Sequence, residues 1–272
     1  MRTRLTITLK NSLLTKIDDS IDGVKIRNRS HAIEYFLTKS FYSAKMQVLI
    51  LAGGKGTRMR PFTYEIPKAL LPLKNKPLLE YLLTNLRDDD VKDIIISINK
   101  EQTKIKEVFG NGSRLGVNIG YVEEASDLGT GGALAIAKQE LKSSPFIIVH
   151  GDILTDIDFQ ELVAFHQASG KVVTMALKTV KNTREFGQIS LKGNTVTNFQ
   201  TSGSKEYSNL VNTGIYVCNQ EIFKYLPNEK KFNFEKVIAA LSSEKLVAGY
   251  VFDGMWLDVG TTADYEDALK AV

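Results

Sequence analysis

Residues 47–68 read Gln-Val-Leu-Ile-Leu-Ala-Gly-Gly-Lys-Gly-Thr-Arg-Met-Arg-Pro-Phe-Thr-Tyr-Glu-Ile-Pro-Lys. The apolar run from Val48 to Ala52 predicts a buried strand that ends in Gly53-Gly54-Lys55-Gly56-Thr57-Arg58. Pro67-Lys68 follows ten residues later. Glycines let backbone N–H groups come close to an anion, and Arg58 and Lys68 supply charge, so the stretch reads as a phosphate site. It is not a Walker A loop, which needs Lys-Ser/Thr after its second glycine, and it lacks the Gly-x-Gly-x-x-Gly of dinucleotide folds. On the glycines alone, a plain turn after a strand is the competing reading.

Along the chain, strand-like runs fall at 47–52, 93–98, 117–122, 146–150, 171–178, 188–191, 195–199, 211–218 and 246–252. Helical patterns fall at 77–87, 101–109, 131–141, 158–168, 219–226, 233–242 and 262–271. Alternation of strand and helix in the first half predicts an α/β fold: a mostly parallel, Rossmann-like sheet with helices on both faces. The later half has consecutive strands, as a substrate-binding lobe would. Ligands of such sheets bind beyond the carboxyl ends of the strands, where Gly53 and Asp152 both fall. Asp158 reads as a helix N-cap, and His166 as structural.

The 272 residues suffice for one large domain with a small one attached, and 43% hydrophobic content suits a globular core. The single cysteine, Cys218, excludes an internal disulfide and a cysteine-cage metal site; its apolar surroundings suggest a buried thiol. No apolar stretch is long enough to span a membrane and the N-terminus is not a signal peptide, so a cytoplasmic location without membrane contact is expected.

The net charge of +4 is unevenly spread. Residues 1–45 carry nine lysines and arginines against four acids, +5, which leaves the rest at −1. Such asymmetry suggests an appended nucleic-acid module. Leu5, Ile7 and Leu9 alternate with polar residues as in a strand, Asn11-Ser12 can cap a helix, Asp22-Gly23 breaks it, and Ser30 can cap a second helix. This strand-helix-helix order resembles the ribbon-helix-helix DNA-binding fold. The resemblance implies a homodimer through residues 1–45, a boundary at 46, double-stranded DNA as a partner, Arg4, Thr6 and Thr8 facing the bases, and Arg29-Ser30 holding a phosphate. The alternative is a basic dimerisation arm that never meets DNA.

Residues 46–272 carry five ordered signals, the glycine stretch and four more. The glycine stretch with Pro67-Lys68-Ala69-Leu70-Leu71-Pro72, then Leu128-Gly129-Thr130-Gly131-Gly132-Ala133-Leu134, Gly151-Asp152, Asn212-Thr213-Gly214-Ile215-Tyr216 and Trp256-Leu257-Asp258-Val259-Gly260-Thr261 together resemble the sugar-1-phosphate nucleotidyltransferases. The resemblance implies that a sugar 1-phosphate attacks the α-phosphorus of a nucleoside triphosphate and pyrophosphate leaves. That nucleophile is already anionic near neutral pH, so the chemistry needs positioning and charge screening rather than a base. The resemblance assigns Mg²⁺ to Asp152 and Asp258, the β- and γ-phosphates to Arg58, the α-phosphate to Lys68, and nucleotide contacts to Ala52, Gly53, Gly54, Gly56, Thr57, Glu124, Gly129 and Thr130. Each aspartate taken alone reads equally as a turn carboxylate, and Lys55 and Arg60 read as solvated cations. His31, His150 and His166 match no catalytic position.

Glu124 stands where thymidylyl and uridylyl members commonly carry Gln. A carboxylate only accepts hydrogen bonds, which suits the two donors on one edge of guanine and favours GTP, unless Glu123 and Glu124 are merely solvated. The Gly-Thr-Gly-Gly-Ala-Leu segment resembles the guanylyltransferases acting on mannose or heptose 1-phosphates. One departure concerns the sugar side. Thr201-Ser202 stand where many members have Glu-Lys, leaving Lys205 or Lys178 to supply a cation, with Gly187, Thr201 and Asn212 as sugar contacts. This departure and the basic N-terminus favour an alternative function: a DNA-binding regulator whose enzyme-like domain senses a nucleotide or sugar nucleotide.

Overall fold

A computed structural model describes residues 6–23, 26–42, 46–181, 183, 186–200 and 208–272, without the side chains of 38–42. The chain divides into two units, Met1–Ala44 and Lys45–Val272. Arg4, Thr201 and Lys205 lie outside the described residues.

The small unit holds α1 (Asn11–Asp19) and α2 (Arg29–Tyr42). Gly23, at φ +75°, takes the left-handed turn between them that a Cβ would oppose. Two caps differ from expectation. Helix α1 begins at Asn11 itself, with Lys10 as N-cap and no side-chain bond. The side chain of Asn28, not Ser30, accepts from the N–H of His31 at 3.0 Å at the start of α2. Residues 6–10 form no regular strand; a ribbon needs a second edge to pair with. Ile7, Leu13, Phe36 and Leu37 are exposed.

The large unit runs β1 (Gln47–Leu51), β2 (Pro72–Leu73), β3 (Lys76–Pro77), α3 (Leu78–Asp88), β4 (Asp93–Asn99), α4 (Thr103–Phe109), β5 (Asn118–Glu124), α5 (Gly129–Ala137), β6 (Phe146–His150) and β7 (Ile153–Thr155). It continues with α6 (Phe159–Ser169), β8 (Val173–Thr179), β9 (Gln188–Lys192), β10 (Thr195–Gln200), β11 (Leu210–Cys218), α7 (Phe234–Ser243), β12 (Val247–Val251), β13 (Trp256–Asp258) and α8 (Thr262–Ala271). Among the described residues nine strands form one sheet in the order β5-β4-β1-β6-β11-β8-β12-β10-β9.

The sheet is mixed, which corrects the expectation of a mostly parallel, Rossmann-like one. β5, β4, β1 and β6 are parallel, joined through helices. β11 then enters antiparallel between β6 and β8, and β9-β10 is a hairpin. Connection length accounts for the β9-β10 hairpin, since strands that follow each other directly pair antiparallel; β11 follows neither β6 nor β8 directly, and its direction is set by tertiary pairing.

Alternate residues of the central strands feed two cores. Val48, Ile50, Ile147 and Val149 pack with the apolar face of α3, α4 and α6. Leu49, Phe146 and Ile148 pack with α5 and α7 on the other face. Helices therefore cover both faces. The side chain of Asp158 caps α6 by accepting from the N–H of Glu161 at 2.9 Å. His166 is buried against Thr174 (Nδ1···Oγ1 2.9 Å), and Cys218 is a buried thiol whose pKa burial raises. Among the described residues no helix is long and apolar enough to cross a membrane.

Candidate active site

The glycine stretch leaves β1 at the carboxyl edge of the parallel half of the sheet. The N–H of Ala52 still donates to Ser97 O at 2.8 Å, after which the chain turns away. Gly56 is left-handed at φ +60° and begins a short 3-10 turn, Thr57–Met59. The first N–H groups of such a turn have no partner within it and are open to an anion. Met59 is fully buried and anchors the turn, and Thr63 Oγ1 donates to Gly56 O at 2.7 Å.

Two neighbouring cavities open here. The first, about 230 Å³, is lined by Ala52, Gly54, Gly56, Thr57, Arg58, Lys68 and Asp152, with Gly151 and Gly260 among the remainder. The second, about 370 Å³, is lined by Thr130, His150, Gly187, Asn212, Glu235 and Asp258, with aromatic walls from Phe186, Phe199 and Trp256. Arg58 and Asp152 line both and mark their junction. The Arg58 guanidinium lies against the backbone of Gly260, where an added Cβ would sit 3.1 Å from it.

Backbone pairing sets the two aspartates side by side. β7 and β13 form a short antiparallel ladder with Asp258 opposite Ile153. Asp152 directly precedes β7, and the N–H of Val259 donates to Asp152 O at 3.0 Å. Lys68 Nζ donates to Asp152 Oδ2 at 2.5 Å. Burial works to raise the Asp152 pKa, but Lys68 and the nearby His150 outweigh it and hold the carboxyl below its usual range. Asp258 moves the other way, up to about 6, through burial and then the charge of Asp152, with Lys68, His150 and Arg58 opposing. Its Oδ1 is buried without a hydrogen-bond partner.

A carboxylate pair with one orphaned oxygen, hard oxygen donors and a cavity beside it fits a divalent cation such as Mg²⁺. Asp152 and Asp258 would hold it, and substrate oxygens and water would complete the shell. The described residues contain no group of three or more acidic, histidine or cysteine side chains for a self-sufficient metal cage.

Other expected residues have different surroundings. Glu124 is 5% exposed, so it is not a solvated carboxylate, whereas Glu123 is exposed and paired with Lys106. Ser97 Oγ donates to Glu124 Oε1 at 2.8 Å, and burial raises the Glu124 pKa, with the Ser97 bond opposing. Glu124 lies against Gly53, where a Cβ would come within 2.3 Å of Oε1. Neither residue lines the first cavity. Gly129 is left-handed at φ +71° against Phe232 O, a packing role, and Thr130 faces the second cavity rather than the first. Lys178 donates to Gly254 O, lies over the Phe252 ring and is not among the residues that line either cavity. Arg60 lies over the Tyr64 ring.

His150 and Glu235 went unrecognised in the sequence. His150 ends β6 and Glu235 stands in the first turn of α7, and the tertiary fold brings Nε2 within 3.6 Å of Oε1. A histidine directly before Gly-Asp was the available signal for one; for Glu235, nothing short of the fold pointed to a site.

Fold and site together define an α/β enzyme with an anion cradle, a carboxylate pair and a polar second cavity. The nucleotidyl transferase family model matches residues 47–272, so this chain belongs to the nucleotidyl transferase family and is an enzyme of that class. It is 31% identical over 226 residues to D-glycero-alpha-D-manno-heptose 1-phosphate guanylyltransferase of Aneurinibacillus thermoaerophilus, across 83% of this chain and 97% of the relative. It is 31% identical over 225 residues to mannose-1-phosphate guanylyltransferase of Mycobacterium tuberculosis, across 81% of this chain but 63% of the relative, less than two thirds of its length. HddC from Yersinia pseudotuberculosis, solved with GMP-PN, superposes with TM-score 0.71 at 24% identity over 83% of this chain and 99% of its own. UDP-glucose pyrophosphorylase, solved with UDP-glucose, gives TM-score 0.72 at 21% identity over 83% and 97%. At these identities the two structures speak to the fold.

Proposed function

We propose that the protein transfers a guanylyl group from GTP to a mannose- or heptose-type sugar 1-phosphate, releasing pyrophosphate. The observation that carries this reading is the junction of the cavities, where Asp152, Asp258, Lys68 and Arg58 converge between a glycine-lined cradle and a polar, aromatic-walled pocket. The names of the two guanylyltransferase relatives favour GTP and the mannose or heptose series.

In this reading the triphosphate lies along the Gly54–Arg58 turn, with Arg58 holding the β- and γ-phosphates. Lys68 leaves Asp152 for the α-phosphate and stabilises the charge that develops there. A bound Mg²⁺ would screen the two anions from each other. Glu124, just behind Gly53, accepts from guanine N1–H and N2–H once the loop adjusts around the base. Asn212 and Gly187 contact the sugar.

The test is pyrophosphate release with each nucleoside triphosphate and a panel of sugar 1-phosphates in Mg²⁺. Turnover is expected with GTP and a mannose or heptose 1-phosphate; no turnover with any pair would sink the reading.

A second reading concerns residues 1–45. The exposed Ile7, Leu13, Phe36 and Leu37 favour a second copy covering them in a ribbon-helix-helix dimer. Arg4, Thr6 and Thr8 would then face DNA, and Arg29 would exchange Asp18, which it meets at 2.6 Å, for a phosphate beside Ser30. The full chain should sediment as a dimer and bind duplex DNA with a steep salt dependence. No retention even at low salt would leave the segment a dimeriser and remove the regulatory alternative.

A further inference from the structure

We infer that Glu235, oriented by Thr130 and faced by His150, is the specificity-determining side chain of the second cavity and recognises hydroxyls of a neutral sugar ring. The inference rests on the nucleotidyl-transfer reading above.

Arg58 and Asp152 line both cavities and Asp258 adjoins Asp152, so these three mark the end where phosphates meet. Among the described residues, Glu235 is the remaining acidic side chain lining the second cavity. Its orientation is set by a chain of bonds. The N–H of Phe234 donates to Thr130 Oγ1 at 2.8 Å. A backbone amide can only donate, so the hydroxyl must turn its own proton elsewhere, and it donates to Glu235 Oε2 at 2.7 Å. One carboxylate oxygen is thereby fixed and the other, Oε1, is left facing His150.

The separation between Oε1 and His150 Nε2 is 3.6 Å, beyond a good hydrogen bond. Nε2 is buried and has no hydrogen-bond partner. Buried polar atoms are ordinarily satisfied, so this pair is built to receive a third group. A hydroxyl both donates and accepts, and so serves a carboxylate oxygen and an imidazole nitrogen together. The imidazole lies close against Gly214, left-handed at φ +73°, where a Cβ would come within 2.9 Å of Nδ1; no other residue leaves the ring this place. Phe186, Phe199 and Trp256 supply apolar walls for the carbon face of a pyranose ring. A carboxylate in this position repels a sugar that carries its own carboxylate, so the pocket takes a neutral hexose or heptose and rejects uronic acids.

The experiment compares wild type with Glu235→Gln, which keeps the shape and an acceptor for Thr130 but removes the charge. Wild-type pyrophosphate release is measured first; its absence with every sugar 1-phosphate would overturn the functional reading, and the inference with it. With an active wild type, the variant should raise the KM for the sugar 1-phosphate about tenfold to a hundredfold, as loss of hydrogen bonds to a charged group does. The KM for GTP and the melting temperature should stay unchanged. Calorimetry should show the sugar nucleotide bound more weakly and GDP bound as before. The preference for a neutral over a uronic acid 1-phosphate should narrow. An unchanged sugar KM, or an equal rise in both KM values with a lowered melting temperature, would overturn the inference while leaving the functional reading intact.

Discussion

The two cavities are built in opposite ways. The first is made largely from one contiguous, glycine-rich stretch, residues 51–58, with Lys68 about ten residues on. The second draws side chains from α5, β6, β11, α7 and β13, far apart in the chain. A backbone cradle binds what all triphosphates share, whereas a cavity of scattered side chains can be retuned one residue at a time. In the proposed reading the first cavity takes the nucleotide and carries the common chemistry, and the second takes the sugar and carries the choice of substrate. The aspartate pair joins them, and the following changes probe that division.

The largest effect is expected at the joint. Asp258→Asn should lower turnover about a thousandfold while circular dichroism stays native, because an amide is a poor ligand for a hard cation. It should also stabilise the metal-free protein above pH 6. The Asp258 pKa is raised to about 6, so its ionisation costs stability as pH rises from the unfolded value toward 6, and Asn removes that cost. Near-normal rates would break the assignment of the joint to metal binding.

Lys68→Met comes next, with turnover down about a hundredfold. It also leaves Asp152 facing Asp258 without the Lys68 cation, so chemical denaturation should find the metal-free protein about 2 kcal/mol less stable, a value discounted for partial exposure. An unchanged stability would make the Lys68–Asp152 contact incidental.

A pH effect sharpens the same point. Because protons and metal compete for Asp258, Mn²⁺ affinity measured by electron paramagnetic resonance should fall about tenfold per pH unit below pH 6. A flat profile down to pH 5 would mean that Asp258 is not a ligand.

The smallest effect separates two adjacent glycines. Gly53→Ala places a methyl 2.3 Å from the buried Glu124 carboxyl and should cost about 1–3 kcal/mol, with a higher KM for GTP. Gly54→Ala meets nothing within 4 Å and should leave stability unchanged. Equal effects would show that Glu124 does not press on the loop.

Much of the fold was legible in the chain. Each of the nine strands of the main sheet coincides with an apolar or alternating run, because a strand buried on both faces must be apolar over its length. The small ladders β2–β3 and β7–β13 were not anticipated: two or three residues are too few to carry a period of two. This matters for the site, since β7–β13 is what sets Asp152 beside Asp258. Strand direction was legible only in part. β11 reads as any buried strand, and nothing local says that it enters antiparallel between β6 and β8.

The sequence by itself determined the strands of the main sheet, the glycine turn after β1 and the identity of the charged residues that surround it. These depend on glycine geometry, charge and short-range periodicity, which are properties of neighbouring residues. Only the tertiary structure decided which side chains share a cavity. It turned Thr130 toward Glu235 and brought His150 across from it, and it buried Glu124 behind Gly53. Those relations depend on how helices α5 and α7 pack over the sheet, and packing is set by contacts between residues roughly a hundred positions apart, as Thr130 and Glu235 are.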